Sequence, residues 1–126
     1  MEDLRTLRTI VVVEREPALR GEAVEAFESA GLQVIAFDDG DRALTYLRSH
    51  KDDVEAVLTD VDGSGTEDGV RTANLIGRVC PTIAVIATGA RHADRPDGLE
   101  AEVRYLAKPW KALDVVNAMQ DAVMER

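Results

Sequence analysis

The sequence predicts an α/β fold in which helices cover both faces of a parallel β-sheet. Short apolar runs rich in β-branched residues alternate with longer segments whose apolar residues recur at helical spacing. Strands that alternate with helices favour parallel pairing through right-handed crossovers. The length of 126 residues and the hydrophobic fraction of 45% indicate one globular domain over residues 1–126, with its core at about 8–124.

Five strands are expected, and each is a short apolar run bounded by charged or turn-forming residues. The predicted strands cover residues 9–13, 33–37, 56–60, 82–87 and 103–107. The third strand carries the acidic residue Asp60 at its C-terminal end. Ligands of parallel α/β sheets bind beyond the carboxyl ends of the strands, so Asp60 is a candidate nucleophile or metal ligand.

Four regular helices are expected, with predicted ranges of 18–30, about 41–50, 68–79 and 111–124. Pro17 suits the first turn of the first helix and Gly31 suits its end. An aspartate in the turn at 38–41 suits the cap of the second helix. Residues 90–101 lack clear periodicity and contain Pro96 and Gly98, which predicts a short or irregular helix, fourth in chain order, before the last strand.

The charge and the cysteine content exclude several classes of function. The net charge of −9 argues against direct nucleic-acid binding, which needs a basic patch, and against adhesion to anionic membranes. The single cysteine, Cys80, rules out a disulfide framework within the chain and fits a reducing compartment. The N-terminal residues lack the apolar core of a signal peptide, so a cytoplasmic location is expected.

Four polar residues lie at the C-terminal ends of their own predicted strands, and they are Glu14, Asp60, Thr88 and Lys108. All four are expected on one rim of the sheet. Asp60 could attack phosphorus, as the nucleophiles of aspartyl-phosphate enzymes do. Lys108 and Thr88 could contact phosphoryl oxygens, and Glu14 could help to hold a divalent cation. Phosphoryl transfer requires little beyond such positioning and charge neutralisation.

Five short motifs in this order resemble the receiver domain of bacterial response regulators over essentially the full length of the chain. They are residues 12–17, 58–62, 68–69, 87–89 and 105–109, and each falls at a predicted strand end or loop. The resemblance implies a single flavodoxin-like, doubly wound, five-stranded parallel sheet with strand order 2-1-3-4-5. It also implies a signalling domain rather than an enzyme, with slow autodephosphorylation at most.

The resemblance assigns a role to each residue of the rim. Asp60 would be the phosphoacceptor for a histidine kinase or a phosphotransfer protein. Thr88 would be the switch hydroxyl, Lys108 the phosphate-binding lysine, and Tyr105 the aromatic residue that changes rotamer with Thr88. The Lys108–Pro109 peptide bond would be cis. A downstream protein partner is implied, and a homodimer is left open.

The resemblance also implies a Mg²⁺ ion, held by Glu14, Asp60 and the backbone carbonyl of Asp62. The family normally has two adjacent acids after the first strand, but here the second position is Arg15. This arginine removes a metal ligand and adds a cation, so Mg²⁺ binding should be weakened. At 4 Å, attraction between Arg15 and Asp60 would be about 4 kcal/mol at an effective dielectric of 20, enough for Arg15 to replace the metal.

Arg15 therefore leaves a second hypothesis about the function open. The chain would then be a degenerate receiver, with the same fold acting as a protein-interaction module that does not depend on phosphorylation.

The sequence differs from the family's usual pattern in two further places, the loop after Asp60 and the weak fourth helix. Gly63 and Ser64 stand where Met-Pro is common, which predicts a more flexible loop. The weak helix belongs to a face that binds partners in the family.

Two lookalike motifs begin at Asp60. Residues 60–63 match the nucleophile motif of haloacid-dehalogenase-type phosphatases, but that motif normally follows the first strand of a larger chain. Residues 60–68 match much of the spacing of an EF-hand calcium loop. A strand precedes them where a helix is needed, and Arg71 stands where a bidentate Glu is required. The calcium interpretation is rejected.

Two aromatic residues near the last strand have open interpretations. Tyr105 is either the switch aromatic or an ordinary strand residue. Trp110 follows Lys108 and Pro109, and it either contacts a partner or packs over the start of the last helix.

Overall fold

The computed structural model describes residues 9–62 and 66–125, and these residues contain a five-stranded parallel sheet. The strand order is β2-β1-β3-β4-β5, which confirms the predicted flavodoxin-like topology. The strands are β1 (Thr9–Val13), β2 (Gln33–Phe37), β3 (Val54–Asp60), β4 (Ala84–Gly89) and β5 (Arg104–Ala107).

Four α-helices connect or follow the strands in the described residues. They are α1 (Pro17–Ser29), α2 (Gly40–Ser49), α3 (Thr66–Val79) and α4 (Ala112–Glu125), and a 3₁₀ turn at Lys51–Asp53 precedes β3. Helix α1 begins at Pro17, one residue before the predicted range, and the Glu16 side chain caps it by accepting a hydrogen bond of 2.7 Å from the Ala18 N–H. Asp39 caps α2 in the same way. Gly31 lies just beyond α1 at φ 88°, a conformation that favours glycine.

Two apolar cores lie on opposite faces of the sheet, because consecutive strand residues point to opposite sides. One core joins the sheet to α1 and α4, and its members include Ile10, Val12, Phe27, Leu58, Ile86 and Met119. The other joins the sheet to α2 and α3, and it includes Val11, Leu47, Val57, Ile76, Val85 and Val103. Continuing this alternation places Glu14, Asp60 and Thr88 on the side of α1 and α4.

The segment between β4 and β5 contains turns and bends, with no helix among its described residues. Side chains satisfy its backbone groups instead. Arg95 donates hydrogen bonds to the carbonyls of Val103 at 2.6 Å and Leu99 at 3.1 Å. Asn74 on α3 donates to the Gly98 carbonyl and accepts from the Glu100 N–H, each at 2.9 Å. The expected short helix before the last strand is therefore absent from the described residues, and this segment is a loop that hydrogen bonds attach to α3.

Several element bounds differ from those predicted. Strand β4 begins two residues later, at Ala84, because Pro81 and a turn hydrogen bond from the Ile83 N–H to the Cys80 carbonyl keep the chain out of the sheet there. It continues to Gly89, since pairing with β3 persists to Thr88 and pairing with β5 persists to Gly89. The expected flexibility at Gly63 and Ser64 lies outside the described residues, as do residues 1–8.

Candidate functional site

Asp60 and Thr88 are direct neighbours at the C-terminal rim of the sheet. Asp60 is the last residue of β3 and pairs in register with Thr88 on β4. The Val61 N–H continues the pairing with a hydrogen bond of 2.8 Å to the Thr88 carbonyl. Because register partners in a sheet direct their side chains to the same face, the Asp60 carboxylate and the Thr88 hydroxyl lie on one side.

Lys108 brings the acidic residues of the rim together. Its Nζ lies 2.8 Å from Glu14 Oε1, 3.2 Å from Asp60 Oδ1 and 3.9 Å from Asp62 Oδ2. The side chains of Lys108, Glu14 and Asp60 are about 95% buried, with exposed fractions of 6%, 5% and 5%. One ammonium therefore neutralises part of the charge of three carboxylates in a site that is largely shielded from water.

The pKa values of Glu14 and Lys108 reflect both the burial of these groups and the charges around them. Burial raises the pKa of Glu14, and the charge of Asp60 raises it further, so that the hydrogen bond from Lys108 does not bring it back to its ordinary value. Burial lowers the pKa of Lys108, but the hydrogen bond to Glu14 and the charge of Asp60 outweigh burial, and the net shift is upward. The carboxylates around Lys108 therefore favour its charged form, whereas burial opposes the charge on Glu14.

The carboxylate oxygens of Asp60 and Glu14 differ in the hydrogen bonds that they accept. Asp60 Oδ1 accepts a hydrogen bond of 2.9 Å from the Asp62 N–H in addition to its contact with Lys108. Glu14 Oε2 accepts one of 3.1 Å from the Glu16 N–H. None of the residues described by the structure donates a hydrogen bond to Asp60 Oδ2. This oxygen is the one available to react or to bind a cation.

The Asp62 side chain forms contacts that the sequence did not suggest. Asp62 Oδ2 accepts a hydrogen bond of 2.5 Å from the Ala90 N–H, and Oδ1 accepts one of 3.4 Å from the Arg91 N–H. The expected role of Asp62 rested on its backbone carbonyl alone. The side chain also ties the loop after β3 to the chain that leaves β4.

Thr88 is buried, with 1% of its surface exposed, and its hydroxyl contacts Trp110. The indole Nε1–H donates a hydrogen bond of 3.0 Å to Thr88 Oγ1. The rest of the ring packs against the core beneath α1 and α4. Of the two interpretations of Trp110, the structure shows packing near the start of α4. The bond itself had no sequence signal, because no spacing rule links an indole to a residue 22 positions earlier.

The Tyr105 hydroxyl contacts backbone carbonyls rather than the Thr88 side chain. It pairs with Ala87 across the sheet, so it lies on the face opposite to Thr88. Its hydroxyl donates to the carbonyls of Gly89 at 3.1 Å and His92 at 2.5 Å. A change of rotamer coupled to Thr88 stays a prediction. The Lys108–Pro109 peptide bond is cis, which confirms that expectation.

Arg15 lies apart from the buried side chains of Glu14, Asp60 and Lys108. Its side chain is exposed and lines a cleft that also contains Asp38, Asp39, Arg71 and part of Asp60. No ion pair joins Arg15 to Asp60, and Lys108 contacts Asp60 instead. The expected Arg15–Asp60 contact is therefore absent from the structure. The cause is local, since Glu14 turns toward α1 and α4 and the next residue leaves the rim toward solvent.

The oxygen donors of the rim fit a hydrated Mg²⁺ ion in part. Glu14, Asp60 and the Asp62 carbonyl are hard oxygen ligands, and Mg²⁺ commonly binds one or two carboxylates while it retains water. Among residues 9–62 and 66–125, however, no cluster of three or more His, Cys, Asp or Glu side chains has the geometry of a metal site. The protein would supply only part of the coordination shell.

Comparison with known proteins gives one consistent result. A family model described as the response regulator receiver domain matches residues 10–120. The response regulator receiver protein CpdR of Brucella abortus (strain 2308) is 29% identical over 117 residues, which cover 90% of this chain and 95% of the relative.

Solved structures show the same fold at lower identity. A response regulator from Thermotoga maritima has a TM-score of 0.75 at 21% identity, with 94% of this chain and 99% of that chain covered. A receiver domain protein from Clostridium thermocellum has a TM-score of 0.79 at 22% identity and coverages of 94% and 95%. A chain from the complex of histidine kinase ThkA with response regulator protein TrrA has a TM-score of 0.79 at 19% identity, with 92% of this chain and 98% of that chain covered.

None of the helices that the structure describes is long and apolar enough to cross a membrane.

Proposed function

Because this chain belongs to the response regulator receiver domain family of two-component signalling, we propose that Asp60 accepts a phosphoryl group from a histidine kinase or a phosphotransfer protein. One observation carries the proposal. The Asp60 carboxylate lies 3.2 Å from the Lys108 ammonium and in register with Thr88, and its Oδ2 is the oxygen to which no described residue donates.

In the proposed reaction, Asp60 Oδ2 attacks the phosphorus of a phosphohistidine. A P–O bond to Asp60 forms as the P–N bond breaks, and the departing imidazole takes a proton from solvent. Lys108 offsets the negative charge of the incoming phosphoryl group, since its contact with Asp60 already places the ammonium beside that carboxylate. The pre-positioned charges lower the barrier without any covalent role for other residues.

Glu14, Asp60 and the Asp62 carbonyl would hold Mg²⁺ in this reaction. The bound ion would neutralise charge on the carboxylates and on the phosphoryl oxygens. Arg15 should weaken its binding, because the family's second acid is missing and a cation stands nearby.

The family is a signalling family rather than a class of conventional enzymes, and its members act through histidine kinases and downstream effectors. For this chain we propose that phosphorylation changes the binding of a protein partner in the cytoplasm. Hydrolysis of the acyl phosphate would be slow and would return the domain to its resting state. A homodimer is compatible with this scheme.

A degenerate receiver is the second candidate, and Arg15 is the observation that favours it. The position next to Glu14 carries an exposed cation instead of a metal-binding acid. In that case the fold would bind its partner without phosphorylation.

Incubation with acetyl phosphate or phosphoramidate over a range of Mg²⁺ concentrations distinguishes the two candidates. Intact-protein mass spectrometry should show the gain of one phosphoryl group, which the Asp60→Asn variant should lose. Asp121→Asn is the matched control, because it makes the same change at an exposed position on α4 and should keep the mass gain. Absence of any mass gain at every Mg²⁺ concentration would exclude the phosphoacceptor function and support the degenerate receiver.

A further inference from the structure

We propose that Trp110 is a positioning residue that holds the Thr88 hydroxyl in the resting protein and releases it when Asp60 is phosphorylated. The inference rests on the proposed function for its release step. The holding step concerns the unphosphorylated protein alone. Trp110 would thereby link the chemistry at Asp60 to the start of α4.

The resting contact is specific. The Nε1–H group of Trp110 is a donor only, and it lies 3.0 Å from Thr88 Oγ1. Thr88 is 1% exposed, so water does not compete freely for this hydroxyl. No hydrogen bond joins Thr88 Oγ1 to the Asp60 carboxylate, although the two residues are register partners. In the resting protein the Thr88 oxygen therefore accepts from the indole and forms no hydrogen bond with the Asp60 carboxylate.

Phosphorylation changes the balance between the two partners of Thr88. A phosphoryl group on Asp60 would bring anionic oxygens next to β4, and a hydrogen bond to an ionised acceptor is roughly twice as strong as one between neutral groups. A hydroxyl can accept one hydrogen bond and donate another, so the bond from the indole does not by itself prevent Thr88 from donating to a phosphoryl oxygen. In the proposed release, the Thr88 side chain rotates so that its O–H reaches the phosphoryl oxygen, and this rotation carries Oγ1 away from the indole N–H, which then loses its partner.

Trp110 is well placed to transmit this change. It lies two residues after Lys108, whose ammonium contacts Asp60, and two residues before α4 begins at Ala112. Its ring packs on the core shared by α1 and α4. Tyr105, by contrast, directs its hydroxyl to the Gly89 and His92 carbonyls on the other face. Trp110 is therefore the aromatic residue that contacts the Thr88 hydroxyl.

The holding step can be tested without phosphorylation. The chain has one tryptophan, so a ¹⁵N-labelled sample gives one indole N–H signal in NMR spectra. Thr88→Val, which keeps the shape but removes the acceptor, should shift this signal and make its hydrogen exchange faster by about fivefold. Thr88→Ser should restore the wild-type behaviour, and Thr45→Val on the exposed side of α2 is the matched control. An indole signal unaffected by Thr88→Val would overturn the inference.

The release step is tested by treating the protein with acetyl phosphate and Mg²⁺ while mass and indole exchange are followed together. In the phosphorylated protein, the indole N–H should exchange as fast as in Thr88→Val, and tryptophan fluorescence should change. Trp110→Phe should accept the phosphoryl group about fivefold faster, because no bond to Thr88 has to break.

The outcomes separate this inference from the proposed function. A mass gain with an unchanged indole signal would overturn the release by Trp110 and leave Asp60 as the phosphoacceptor. No mass gain in either the wild type or Trp110→Phe would overturn the proposed function together with the release step. In that event the Thr88→Val spectrum still decides the holding step.

Discussion

The two sides of the C-terminal rim differ sharply, although Glu14 and Arg15 are adjacent in the sequence. On the side of α1 and α4, Glu14, Asp60 and Lys108 are almost fully buried and joined by ion pairs of 2.8 and 3.2 Å. This group is called the buried cluster below. On the other side, Arg15 is exposed in an open cleft lined by Asp38, Asp39 and Arg71.

The comparison shows that position, rather than charge alone, decides which cation pairs with Asp60. Lys108 reaches Asp60 from the end of β5 and is shielded from solvent, so its charge acts at low effective dielectric. Arg15 is close in sequence but projects into water and salt, where its charge is screened. An arginine in this position therefore does not take over the role of Lys108.

The largest expected effect comes from removing the cation of the buried cluster. Lys108→Met leaves Glu14 and Asp60 buried without a counter-charge, and we expect a loss of about 3 kcal/mol in the free energy of unfolding at neutral pH. Urea denaturation followed by circular dichroism measures this loss. Lys111→Met, at an exposed position after β5, should change the stability by less than about 0.5 kcal/mol. Equal losses in the two variants would show that the cluster contributes nothing specific.

Removing a negative charge from the same cluster should raise the free energy of unfolding instead of lowering it. Folding raises the pKa of Glu14 above its ordinary value of 4.5, so the folded state binds more protons just above that pH. Stability should therefore fall as the pH rises through the raised pKa. Glu14→Gln should remove this fall and gain about 1 kcal/mol at pH 7, since the neutral amide can still accept from Lys108.

Urea denaturation between pH 4.5 and 7.5 tests the Glu14 prediction. Glu22→Gln on the exposed surface of α1 is the control, and it should retain the pH dependence of the wild type. If Glu14→Gln is less stable than the wild type at pH 7, the ion pair with Lys108 outweighs the burial of Glu14. The balance of charges inferred for the cluster would then be reversed.

The residues of the buried cluster could be predicted from the sequence more completely than the contacts of the cleft. Glu14, Asp60, Thr88 and Lys108 could be placed on one rim because each directly follows an apolar run, and parallel strands end on the same edge. The position of the Arg15 side chain could not be predicted in this way, because Arg15 lies two residues beyond the end of β1, where the alternation of the sheet no longer fixes the direction of a side chain. The Trp110–Thr88 bond depends in the same way on a loop side chain.

Thr59 offers a test of similar size on the side of the cleft. It directly precedes Asp60, is fully buried, and its hydroxyl has no hydrogen-bond partner in the part of the chain that the structure describes. Thr59→Val replaces this hydroxyl with a methyl group of similar size, so we expect a gain of about 1 kcal/mol in unfolding free energy. Thermal and urea denaturation measure it. A loss of stability would indicate that Thr59 Oγ1 has a partner in solution.

Arg15 should have the smallest effect on stability and the clearest effect on metal binding. Because its side chain is exposed, Arg15→Asp should change the unfolding free energy by less than about 0.5 kcal/mol. The same change removes a cation and adds a carboxylate next to Glu14, so Mg²⁺ should bind several-fold more tightly, with a gain that shrinks at high salt. Calorimetric titration measures the affinity.

Arg71→Asp is the matched control for Arg15→Asp, because it makes the same change of charge within the same cleft but on α3. A gain confined to Arg15→Asp would mean that the residue next to Glu14 can contribute a ligand and that the native arginine withholds it. Equal gains in the two variants would reduce the effect to the overall charge of the cleft. No gain in either would mean that Arg15 does not limit Mg²⁺ binding, and the two sides of the rim would then act independently.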